Sequence, residues 1–175
     1  MKIPATLSLA LFLCACGSKT GSPDVKSVVL EQLKSSHNNK NWYAPMKAAV
    51  EGVTAEQANW RDSSGNHSIG QLVSHLIFWN ERNLIAFKGN KPPDFSGNNE
   101  ETFTRFNPAD WEQAVARLDS IESELEAVFE KADDAQVKNW ASTAANIASH
   151  NAYHTGQIIY IRKHKGWWDP EKGVK

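Results

Sequence analysis

Between Trp111 and Val128 the residues Trp111, Ala114, Val115, Leu118, Ile121, Leu125 and Val128 return in nearly strict heptads. That spacing lines one face of a helix and is incompatible with the alternation of a strand. Asn107 is placed to cap this segment, with Pro108 in its first turn. Three other stretches carry the same period, and no strand pattern competes with them. One follows Ser68 as N-cap and runs from about Ile69 to Phe87, with Ile69, Leu72, Val73, Leu76 and Trp79 facing inward. Another runs from near Ser142 to about Lys165, with Ile147, His150, His154, Ile158 and Ile161 on one face. The first opens with Ser22 as N-cap and Pro23 at the first helical position and continues with interruptions to about Val50. Its stripe is Val25, Val29 and Leu33, then Trp42, Met46, Ala49 and Val50. The polar "SSHNNKN" between them is either a kink or a patch facing a pocket.

Four helices of about 20 residues predict an all-α four-helix bundle. "GVTAEQANWRDSSGNHS" reads as the loop joining the first pair. The connection from the second helix to the third, "KGNKPPDFSGNNEETFTRFNP", is different. About 20 residues reach ~60 Å when extended, whereas a 20-residue helix is ~30 Å long. This crossover can therefore run the full length of the bundle, leaving helices two and three parallel. The chain has 175 residues, 41% hydrophobic and 22% charged, which suits one domain with one core. A net charge of -1 without a basic stripe argues against a nucleic-acid partner.

The N-terminus stands apart. "MKIPATLSLALFLCAC" has Lys2, a short apolar run from Ile3 to Leu13, and then small residues. The run is about half the ~20 residues that cross a bilayer, and it reads as a secretory signal. "LCAC", Leu13 to Cys16, resembles the lipobox of bacterial lipoproteins, in which cleavage leaves the cysteine to carry a lipid. Cys14 is unusual at its position, and a plain secretory signal or a retained anchor is the alternative. The expected organisation is a signal over residues 1–15, lipidated Cys16 with a "GSKTGSPD" tether to residue 24, and a helical domain over 25–170. This predicts a lipoprotein of the cell envelope, membrane-anchored and facing outside the cytoplasm. Both cysteines lie in the leader, so the domain has neither a disulfide nor a thiol nucleophile.

His150 and His154 are titratable side chains spaced i, i+4 in an apolar stripe, where burial without partners is costly. The spacing puts both imidazoles on one helix face, about 6 Å apart, so they can converge on an ion at ~2.0–2.1 Å. His75, in the inward stripe of another helix, is the natural third ligand, and bundles build metal sites in this way. A single such pair is a weak signal. Three histidines in apolar stripes, while His37, His67 and His164 do not obviously fall in one, make a stronger one. A zinc-protease helix would carry Glu after the first histidine; here Asn151 stands there and cannot take a proton. No Gly-flanked nucleophilic serine appears either. The carboxylates of "DSIESELEAVFEK" read as a solvated outer face. Gln157, one turn after His154, either orients a bound water or satisfies backbone, the second being favoured.

"ANWRDSSGNHSIGQLVSHLIFW" followed by "HNAYHTGQIIYIRKHKGWW" resembles the DinB/YfiT-like family of bacterial four-helix metalloproteins, over about residues 25 to 168. "HSIGQLVSH" places His75, and "HNAYHTGQI" places His150 and His154. The resemblance implies that these three histidines bind a divalent metal, commonly nickel, zinc or iron, in a bundle with the same long crossover. Homodimers also occur in the family. Three imidazoles leave such an ion open positions, where it can make bound water acidic or polarise a substrate oxygen or sulfur. Some relatives join a low-molecular-weight thiol to an electrophile, and others are described as metal-dependent hydrolases. Those thiols are cytoplasmic, so an export signal favours hydrolysis of an unknown small molecule. The alternative is a non-catalytic metal-binding or interaction module anchored to the membrane. An open site with a polar cleft would favour the enzyme, and a closed site beside an exposed apolar patch would favour the module.

Overall fold

A computed structural model of the chain describes residues 24–104 and 106–173. The expected signal with Cys14, the expected lipidation site Cys16, most of the expected tether and the expected Ser22 cap lie outside these residues. Among the described residues six α-helices follow one another: α1 (Val25–His37), α2 (Met46–Val50), α3 (Ala55–Asn59), α4 (Ile69–Phe87), α5 (Trp111–Lys131) and α6 (Asp134–His164). The four long ones form the bundle, and no strand occurs among the described residues. None of the described helices is long and apolar enough to cross a membrane.

Capping sets the boundaries. Asp24, at the end of the expected tether, caps α1 by accepting from the Ser27 N–H at 2.7 Å. Ser68 and Gln71 form a reciprocal capping box at the start of α4, as the sequence led us to expect for the serine. Asp133 and Gln136 form another, so α6 starts at Asp134, well before Ser142. The first segment is not one interrupted helix. α1 ends at His37, and α2 is a separate short turn of helix. Consequently Val25 is 59% exposed and Trp42 90% exposed, and neither belongs to the core stripe as expected. The expected 52–68 loop contains α3, started by the Thr54–Gln57 capping box.

Side-chain pairs give the directions. Arg117 pairs with Glu81 and Lys88 with Glu124, so equal steps along α4 and α5 keep meeting and the two helices run parallel. α6 runs against α4: His75 meets His150, Asn80 meets Asn151, and Phe87 stacks on Trp140. The crossover is antiparallel to α4 and packed along it. Phe95 touches Phe78 and Trp79, Asn99 accepts from the Trp79 indole, Thr102 reaches His75, and Phe106 covers Gly70. Gly70 is required there, because a Cβ would lie 2.3 Å from the Phe106 ring.

Two apolar layers fill the bundle, one around Met46, Ile69, Leu76, Trp111, Leu118 and Ile158, the other around Leu33, Leu84, Ile121, Leu125, Phe129 and Ile147. Each fully buried side chain of this size contributes about 1.5–3 kcal/mol. Phe129 is fully buried, while Val128, expected in the stripe, is only partly buried. At the far end of the first layer the buried Arg162 donates to the Ala49 carbonyl at 2.6 Å and the Trp167 carbonyl at 3.1 Å, tying α2 to α6.

A buried polar seam adjoins these layers. His37 gives one ring nitrogen to Glu126 at 2.7 Å and the other to Asp119 at 3.1 Å. Glu122 lies beside it, 3.8 Å away, and accepts from Asn151 at 2.8 Å. Asn151 in turn accepts from Asn80 at 2.9 Å. The carboxylates of α5 are therefore not all a solvated face, and "SSHNNKN" turns Ser35, Ser36 and His37 into the core. Burial pushes Glu122 up to about 8. Burial works to lower the His37 pKa, but the Glu126 bond, the Glu122 carboxyl and the Asp119 bond outweigh it and raise it.

Both shifts make the folded state hold protons that the unfolded chain releases. The Glu122 contribution to stability is full below about pH 4.5, its unfolded value, and is lost as pH rises through about 8. Glu122→Gln keeps an oxygen for Asn151 and removes one of these titrations. It is expected to flatten thermal stability across pH 5–8 by up to about 1.4 kcal/mol per pH unit and to raise Tm at pH 8. Melting curves of both chains across that range check this.

Candidate metal centre

α6 carries His150 and His154 one turn apart, and antiparallel α4 brings His75 against them. The His150 Nε2 lies 3.0 Å from the His75 Nε2 and 3.0 Å from the His154 Nε2. Neighbouring ligands at ~2.0–2.1 Å from one ion, subtending 90–110°, are about 2.9–3.4 Å apart. His75 is 2% exposed and His154 5%, with His150 half-buried at the cavity side. Among the described residues no other His, Cys, Asp or Glu joins them in a ligating group.

Hydrogen bonds fix which nitrogen is free. The Thr102 hydroxyl donates its one proton to the Asn99 carbonyl at 2.6 Å, so it accepts from His75 Nδ1–H at 2.5 Å. Gln157 Oε1 accepts only, so the 2.6 Å contact makes His154 Nδ1 a donor as well. Gln157 thus bonds the His154 ring, rather than backbone or a water as the sequence suggested. Two Nε2 lone pairs consequently face the His150 Nε2, and one hydrogen on His150 can serve only one of them well. A single cation satisfies all three, with the outer-side bonds that metal-binding imidazoles use.

The protonation states agree. Burial, then the neighbouring His154 and His150, push His75 down to about 3. Burial pushes His154 down to about 4 against the opposing bond to Gln157, and burial also lowers His150. All three rings are neutral donors at neutral pH.

A cavity of about 660 Å³ opens in front of the three nitrogens, with Asn80, Asn83, Asn99 and Asn146 among its lining. Its neutral amides contrast with the closed surroundings of a structural four-ligand site. The buried Oδ1 of Asn80 has no partner within the protein. Asn151, where a zinc protease would place its base, is not on this face and belongs to the seam beneath.

Sequence reasoning missed two participants. Thr102 sits in a connection without helical periodicity, and only the fold brings it to His75. His67 stacks on Phe103 at 3.8 Å between centroids, and Phe103 stacks on His75 at 4.0 Å. His67 precedes the Ser68 cap, so no apolar stripe marked it.

Thr102→Val preserves shape but leaves His75 Nδ1–H without its acceptor. It is expected to weaken binding of added zinc by about 10–100-fold while leaving the helical circular dichroism intact. Titration against a competing chelator measures this.

A search of known families finds the DinB superfamily over residues 42–158. The match is narrower than the resemblance seen over 25 to 168 and leaves α1 outside, but it contains the crossover and all three histidines. Neither the curated proteins nor the solved structures give a match. With more than half of the chain matched and the expected bundle, crossover and histidine cluster in place, this protein belongs to the DinB superfamily.

Proposed function

We propose that the chain holds one divalent metal ion through the Nε2 atoms of His75, His150 and His154 and acts as a metal-dependent hydrolase or small-group transferase. The observation that carries this reading is the convergence of three neutral Nε2 donors, two with their outer nitrogens pinned, on a roomy polar cavity. Zinc, nickel and iron(II) all suit three imidazoles. When bound, such an ion supplies Lewis-acid polarisation of a substrate oxygen or sulfur, or an acidified water.

The chain's own residues supply the rest. Asn83, Asn99 and Asn146 offer uncharged donors and acceptors to orient a polar substrate. His67 and Glu100 stand 3.5 Å apart at the cavity wall, where an imidazole and a carboxyl face the substrate space. An open polar cleft supports an enzyme over a passive binding module.

Purified protein is expected to hold about one divalent ion per chain, and His75→Ala and His150→Ala to lose it while remaining helical. Elemental analysis alongside circular dichroism decides. No ion after reloading with zinc, nickel or iron would overturn the reading.

We further propose that Cys16 carries a lipid that anchors this domain at a membrane of the envelope. The lipobox-like "LCAC" and the Gly/Ser-rich tether support this. Incorporation of labelled palmitate, lost in Cys16→Ser, is the expected result. Equal labelling of both chains would exclude it.

A further inference from the structure

Beside the histidine cavity lies a second cleft of about 410 Å³, and His67, Tyr153 and Gln157 line both. One side is a stripe of α6: Tyr153, Gly156, Tyr160 and His164 recur at helical spacing along it. Tyr153 is 63% exposed and Tyr160 70%, so two aromatic faces stand open to solvent next to the candidate centre. The other side is preformed. Trp60 is held edge-on by Trp167 at 6.0 Å and lies under the Lys165 ammonium at 4.6 Å.

Gly156 is the telling residue. A glycine inside a helix costs about 1 kcal/mol relative to alanine, and a close neighbour is the usual justification. Here an added Cβ would meet nothing within 4 Å. The space that a side chain would fill is the cleft itself. The charged residues at the rim are spent locally. Arg61 donates to the Asn66 and Gly65 carbonyls, Asp62 accepts from Ser64, and their opposite charges offset each other. Much of the remaining lining is aromatic or aliphatic: Trp60, Tyr153, Tyr160, Leu72 and Ile161 around Gly156.

We propose that this cleft seats a neutral, flat apolar or aromatic group of the substrate, whose polar end reaches the three histidines past His67, Tyr153 and Gln157. The cleft's volume is that of a small-molecule site. The amide-rich cavity and the aromatic cleft then take opposite ends of one molecule, with the reacting bond between them. This inference rests on the metal-site reading for the position of the polar end, but the cleft itself needs no metal.

The test compares two hydroxamates on the zinc-loaded chain by calorimetry: acetohydroxamate, which has the chelating head alone, and 2-naphthylacetohydroxamate, which adds the aromatic tail. The tail is expected to tighten binding by about 10–100-fold through apolar burial. Gly156→Leu fills the cleft and Tyr160→Ala removes a wall, and each is expected to abolish most of that gain. Equal affinity of the two compounds for the unaltered chain, or a gain that survives in Gly156→Leu, would overturn the proposal. The uncharged 2-naphthylacetamide, followed by saturation-transfer NMR on metal-free protein, separates the two readings. Signal lost in Gly156→Leu supports the cleft even where zinc fails to bind. No signal from the unaltered chain overturns the cleft whatever the metal result.

Discussion

Every ring nitrogen of a buried imidazole needs a partner, and much of this bundle is arranged around that requirement. His75 and His154 together present four such nitrogens within a largely apolar stripe. Thr102 and Gln157 satisfy the two outer ones, which leaves the inner pair to share His150 or a cation. Thr102 comes from the long connection, so the crossover has a chemical task besides spanning the bundle. It must return along α4 far enough to bring residue 102 opposite residue 75. Phe95, Asn99 and Phe106 hold it to α4 on either side of that point. The parallel arrangement of α4 and α5 follows from a connection that travels the length of a helix.

The seam from His37 through Glu122 and Asn151 to Asn80 meets the same requirement on the other side of α6. Isolated buried charge is expensive, and here Glu122 relieves the cost by retaining a proton, while His37 faces two carboxylates. The hydrogen bonds of this seam fix the relative rotation of α1, α4, α5 and α6 more narrowly than apolar packing alone, since apolar residues tolerate repacking.

The sequence made the bundle legible because amphipathic periodicity reports directly on buried faces. The expectation of a helix from about Ile69 to Phe87 matches α4, and chain length allows the crossover that the structure shows. His75, His150 and His154 were legible because polar residues in apolar stripes violate the pattern. Where a polar residue sits at the edge of a stripe, the same logic loses force. Glu122 lies one turn from both Leu118 and Leu125 but was read with its exposed neighbours. His37 follows two serines at a helix end, where periodicity runs out. Thr102 and His67 lie in connections, and only tertiary structure decides what a connection touches. Trp42 shows the converse: a large apolar residue in a turn satisfied the period and yet faces solvent.

α6 ties these parts together through its register. His150, His154 and Gln157 face the candidate centre; Asn151, Thr155, Ile158 and Arg162 face the core; Tyr153, Gly156 and Tyr160 face the neighbouring cleft. Each set repeats at three or four residues, so the three faces are offset by about one residue, or ~100° of rotation. The core set is bonded at several heights: Asn151 to Glu122 and Asn80, Thr155 back to the Asn151 carbonyl, and Arg162 to the Ala49 carbonyl. A one-residue rotation of α6 would break all the contacts to other elements together and would carry the imidazoles off His75. The buried polar bonds thus hold His150 at its 3.0 Å separation from His75 from the core-facing side of α6. That is why a residue such as Asn151, adjacent in sequence to His150, shapes the site without lining it.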